Sequence, residues 1–144
     1  MKKLLSLFVV LTAATLFTGC ASGPKYSAMQ GSIPALASDK GRIYFYRTSA
    51  VGAAVQPAVK LNGQEVGTAK AKGFFYVDRA PGSYKVETST EVSRQLSLTL
   101  EANQTRYVKL NISMGFFVGH VYPELVDPAA GQAGVEKCKY TGGH

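Results

Sequence analysis

From Gly41 to Tyr122 the apolar residues recur in short alternating runs separated by turn residues, a period of two that predicts half-buried β-strands. Ile43 and Phe45 are set against Tyr44 and Tyr46 in the first run. Val59 to Val66 carries the strongest local signal, because Asn62-Gly63 supplies the two positive-φ residues of a type I′ hairpin turn. That turn places Leu61 opposite Gln64, Lys60 opposite Glu65 and Val59 opposite Val66. Opposite charges then share one face, and Val59, Leu61 and Val66 the other. Gly73 to Val77 is a further strand, followed by Ala80-Pro81-Gly82-Ser83 with Pro and Gly at the centre of an expected type II turn. Tyr84, Val86 and Thr88, then Leu96, Leu98 and Leu100, then Val108, Leu110 and Ile112 continue the alternation. Phe116 to Tyr122 is expected as a last apolar strand interrupted by Gly119. Seven or eight mainly antiparallel strands with short connections fold over into a small all-β sandwich. Asp127 can then cap a helix opened by Pro128, limited to a turn or two by Gly131 and Gly134. Gly142-Gly143-His144 is expected to fray.

The two ends of the alternating region read differently. Lys2 and Lys3 precede Leu4 to Phe17, an apolar run of fourteen residues without a charge, and Thr18-Gly19-Cys20 follows. The run is shorter than the ~20 residues a membrane-spanning helix needs and has the order of a secretory signal. Its ending resembles a lipobox, in which cleavage precedes a cysteine carrying a diacylglycerol thioether; Phe17 stands where lipoboxes usually have Leu. Ordinary secretion is the competing reading. Residues 1–19 are thus expected to be a signal peptide and Cys20 the lipidation site. Residues 20–40, small, polar and broken by Gly23, Pro24, Gly31 and Pro34, read as a flexible tether, which leaves 41–144 as the domain.

Gly41-Arg-Ile-Tyr-Phe-Tyr-Arg47, Leu61 to Gly67, Gly73-Phe-Phe-Tyr76, Pro81-Gly-Ser-Tyr84 and Asn103 to Val108 together resemble the bacterial lipoprotein family called domain of unknown function 2846. Val59 to Val86 also resembles PEGA-type modules, small β-sandwich units with an Asn-Gly hairpin and a Pro-Gly-x-Tyr turn. The resemblance implies a fold and brings no catalytic residues with it.

Composition narrows the function little. The formal net charge of +7 falls by two if Lys2 and Lys3 leave, and the remaining Lys and Arg are scattered along the sequence. Nucleic acid is an improbable partner for an exported chain; a membrane, reached through the lipid on Cys20, and an envelope protein or cell-wall component are the expected ones. Cys138 is the second of two cysteines and reads first as a small buried apolar residue, with a reactive or intermolecular thiol as the alternative. His120 lies in an apolar strand and reads as a structural histidine. Ser22-Gly-Pro-Lys25 matches an S-x-x-K pattern with no companion motif. No metal, cofactor or catalytic residue is expected. The feature with binding potential is aromatic: Tyr44, Tyr46, Arg47 and Tyr107 would form a Tyr and Arg surface if they share a solvent face. The expected protein is a lipid-anchored, non-enzymatic envelope β-sandwich, on the periplasmic side of an outer membrane because Ala21 follows Cys20. The alternative is a periplasmic small-ligand or carbohydrate-binding module.

Overall fold

The computed structural model describes residues 19–143, apart from the side chains of residues 91–93. Residues 1–18 of the signal peptide expected over 1–19, and His144, lie outside the described residues. Among the described residues nine strands follow one another as β1 (Gly41–Arg47), β2 (Ala58–Leu61), β3 (Gln64–Thr68), β4 (Gly73–Arg79), β5 (Gly82–Thr88), β6 (Glu91–Leu100), β7 (Thr105–Met114), β8 (Gly119–Val126) and β9 (Lys139–Tyr140). A one-turn helix α1 (Tyr26–Met29) precedes them, and α2 (Pro128–Val135) lies between β8 and β9. Two sheets form, ordered β8-β7-β1-β4-β9 and β3-β2-β5-β6. The expected all-β sandwich is observed, and β9 is an addition to the expected set. Neighbours pair antiparallel except β1 with β7 and β4 with β9.

Ile43, Phe45, Phe75, Val77, Val108, Leu110 and Val121 from the five-stranded sheet meet Val59, Leu61, Val66, Val86, Leu98 and Leu100 from the four-stranded one. Phe45 and Phe75, partners in the β1–β4 register, stack with centroids 5.0 Å apart. Pro123 sits within β8, an edge strand, where a missing backbone donor is tolerated.

Three local expectations change. Asn62 and Gly63 do adopt φ of 50° and 82°, and Lys60 faces Glu65, but Val59 faces Gly67 rather than Val66 because a bulge falls between Val59 and Lys60. Both Val59 and Val66 stay buried that way, while Gly67 leaves room for the Phe75 ring, which a Cβ would meet at 2.6 Å. The corner at Pro81 is not a type II turn, since Gly82 has φ 158° and already opens β5. The last long strand starts at Gly119, and Phe116 to Val118 form the exposed tip of the β7–β8 hairpin. Glycines on both sides of the aromatic pair, Gly115 and Gly119, bound that tip.

The larger correction concerns residues 20–40. In place of a free coil, they are laid across the outer face of the five-stranded sheet. Ala21 N–H donates to the Ala71 carbonyl at 2.9 Å, and Tyr140 N–H donates to that of Pro24 at 2.8 Å. Tyr26 is buried, edge-on to Phe74 at 5.6 Å. Arg42, buried on β1, donates Nε and Nη2 to the Asp78 carboxylate at 2.7 and 2.8 Å and Nη2 also to the Pro34 carbonyl at 2.9 Å. This bidentate pair, with the guanidinium 4.5 Å above the Tyr76 ring, raises the Arg42 pKa and clamps the segment to the sheet. Gly/Pro/Ser composition suits a linker, but Tyr26 and Ile33 give the segment apolar anchors.

Candidate functional site

Every residue of β1 is buried, and this decides the fate of the expected Tyr and Arg surface. Ile43 and Phe45 face the inter-sheet core, while Tyr44 and Tyr46 point outward into a second core with Tyr26, Phe74, Tyr107, Val135 and Cys138. Tyr44 and Tyr107 stack at 5.3 Å, and Tyr107 Oη donates to Gln132 Oε1 at 2.8 Å. Helix α2 covers this face. The expected cap is present, with Asp127 Oδ1 accepting from Ala130 N–H at 3.0 Å and Pro128 opening the helix. Gly131 and Gly134, expected only to weaken α2, permit its seating. A Cβ at either position would stand 2.2 Å from the rings of Tyr107 and Tyr46 respectively.

Arg47 is wholly buried as well. Its Nη1 donates to the carbonyls of Val55 and Ala69 at 2.6 and 2.9 Å, and its Nη2 to those of Val51 and Gly52 at 2.8 and 2.9 Å. Four backbone oxygens replace the lost hydration of its two terminal nitrogens, Nε is buried without a partner among the described residues, and burial lowers its pKa. It pins the loop of residues 48–57. Tyr44, Tyr46, Arg47 and Tyr107 therefore form no binding surface, and the saccharide alternative loses the residues it rested on. Tyr with a polar tip and an aromatic body fits either environment, so alternation alone could not separate them.

The remaining chemical candidates are placed plainly. His120 Nδ1 donates to the Thr90 carbonyl at 2.7 Å, which ties β8 to the β5–β6 turn, as does the short Thr88 hydroxyl bond to the Val121 carbonyl. Ser22 and Lys25 lie on the strap over the sheet. Among the described residues no three His, Cys, Asp or Glu side chains gather into a metal-binding group. Cys138 is buried, its Sγ 3.4 Å from the Gly134 carbonyl, and burial pushes its thiol up to about 11 from an ordinary 9.0. The fold thus favours the neutral thiol. Its contribution to stability is complete below pH 9 and is lost as pH rises through about 11. Tyr44, pushed by burial up to about 12, follows the same sign at higher pH. The urea midpoint should accordingly fall between about pH 9 and 11, and less steeply in Cys138→Ala.

What the fold does assemble is a groove of about 440 Å³ beside Cys20, edged by Lys25, Lys72, Lys137 and Lys139 with Glu136 among them. Cys20 is exposed and forms a β-bridge with Ala71. Four lysines from three separate stretches meet because the start of α1, the β3–β4 connection and the α2–β9 connection all lie there. Scattered in sequence, they gave no warning. Their net positive field suits an anionic group.

The architecture places the protein among two-sheet all-β sandwiches, here with straps from both chain ends sealing one outer face. Within that class the chain belongs to the family described as Protein of unknown function (DUF2846), whose model matches residues 37–121. It is also 24% identical over 148 residues to an uncharacterized protein of Haemophilus influenzae, a match covering 99% of this chain and 88% of that protein. No solved structure matches. The family match spans β1 into β8 and stops short of α2 and β9.

Proposed function

We propose that the chain is an exported lipoprotein, acylated on Cys20 after removal of residues 1–19, whose β-sandwich binds another cell-envelope component and catalyses no reaction. The observation that carries this reading is Cys20 itself. It combines a lipobox-like context in the sequence with an exposed position at the mouth of the lysine groove, where a diacylglycerol would leave the protein beside cations suited to anionic headgroups. Ala21 next to Cys20 supports placement on the periplasmic side of an outer membrane. The Asn-Gly hairpin and Pro-Gly-x-Tyr corner, with their likeness to PEGA-type modules, support a role in presenting a surface.

Metabolic labelling with a palmitate analogue tests the anchor. Cys20→Ala should abolish the label and block cleavage at that junction, as judged by mobility and membrane fractionation. Undiminished label in the variant overturns the reading.

A further inference from the structure

We infer that the Phe116–Phe117 hairpin tip inserts into the same bilayer that holds the Cys20 lipid, making the Arg47 end of the sandwich its membrane-facing end; this rests on the lipoprotein reading above. Phe116 and Phe117 are 100% and 97% exposed, and Met114, Val118 and Val51 beside them are 63%, 56% and 60% exposed. Two adjacent, fully exposed phenylalanines continued by three aliphatic or thioether side chains form a patch left uncovered by the described residues, the mark of an interaction surface.

Strand register puts this patch and Cys20 at one end. Tyr46, next to the last residue of β1, pairs with Phe74 on one side and Lys109 on the other. Residues 71 and 72 precede β4 at that end, and Lys139 pairs with Gly73 there. β7 runs parallel to β1 and continues from Lys109 to Met114, roughly 16 Å further at ~3.3 Å per residue. The tip therefore projects from the end where Cys20 emerges. The loop pinned by Arg47 lies against the base of the tip, with Val55 Cγ2 3.3 Å from the Cβ position at Gly119.

The occupant is identified by chemistry. Apolar aromatic side chains on a projecting tip, with lysines set around the acylated residue, match an acyl layer beneath anionic headgroups. The strap matters too. Because residue 21 is hydrogen-bonded to Ala71, the lipid leaves from the body of the domain with no free spacer, so the tip is within reach of the bilayer. Acyl chains supply the affinity, and the phenylalanines fix the orientation.

The sequence contains no tryptophan, so a single indole reports cleanly. Full-length protein carrying Phe117→Trp, or Thr99→Trp on the exposed far end of β6 as control, is purified from membranes. It is then reconstituted into phosphatidylethanolamine–phosphatidylglycerol vesicles with brominated acyl chains. Bromolipid should roughly halve the emission from position 117 and leave position 99 near its value in unbrominated vesicles. With Cys20 labelled by the palmitate analogue, equal quenching at both positions, or none at 117, overturns this inference alone. A blue-shifted, unquenched indole at 117 that reverts on dilution also overturns it and assigns the tip to a second copy of the chain. Absence of label on Cys20 overturns the anchor reading and the inference with it.

Discussion

Arg47→Met is expected to lower the unfolding free energy by about 3 kcal/mol, read from the shift in a urea melt. Two effects oppose each other. Removing the guanidinium relieves the desolvation of a buried cation, which has no carboxylate partner among the described ion pairs. It also strips charge-assisted donors from four carbonyls. Those of Val51, Gly52 and Val55 lie in a surface loop and can rehydrate, but the Ala69 bond is fully buried and its carbonyl would have no water to turn to. The second effect wins because a lost charged hydrogen bond is worth about 1.5–3 kcal/mol and an orphaned buried acceptor about 1–3. Amide exchange across residues 48–57 should accelerate as well. An unchanged midpoint would show that the loop does not depend on Arg47.

Gly134→Val should cost about 2 kcal/mol or more, as forced overpacking does. The Cβ would stand 2.2 Å from Tyr46 Cε2 and 2.6 Å from Cζ, and Tyr46 cannot withdraw because β1 is buried on both faces. α2 must lift instead. Cys138, 3.4 Å from the Gly134 carbonyl, would then lose its cover, so its alkylation in the folded state should rise together with the drop in midpoint. A native-like midpoint with an unreactive thiol would show that the helix accommodates the side chain in place.

These two sites mark where the sequence was legible and where it was not. Asn62-Gly63 and Asp127-Pro128 act on neighbours a few residues away, so their turn and cap were predictable from residue type. Alternation across Ile43 to Tyr46 located β1 correctly but could not say what covers its outer face. The answer depends on Tyr26 and Val135, one on each flank of the sandwich in sequence. Glycines at 131 and 134 looked like helix breakers because the rings they admit belong to β7 and β1. Phe116 and Phe117 read as strand on hydrophobicity alone, although the flanking glycines were the better guide. The lysine groove depends on the parallel placement of β9 beside β4, which no local pattern encodes.

The two-ended strap also governs when the protein can fold. β1 is the first strand made, yet its register partners β4 and β7 lie far downstream, and the cover of its outer face, begun by Tyr26, is completed only by Val135 of α2 and Cys138. A chain emerging from its N-terminus thus lacks the full cover of Tyr46 until Gly134, Val135 and Cys138 are released. Such late closure, slow by the usual penalty on distant contacts, suits the export proposed above, because a polypeptide whose first strand is sealed last stays open to threading longer.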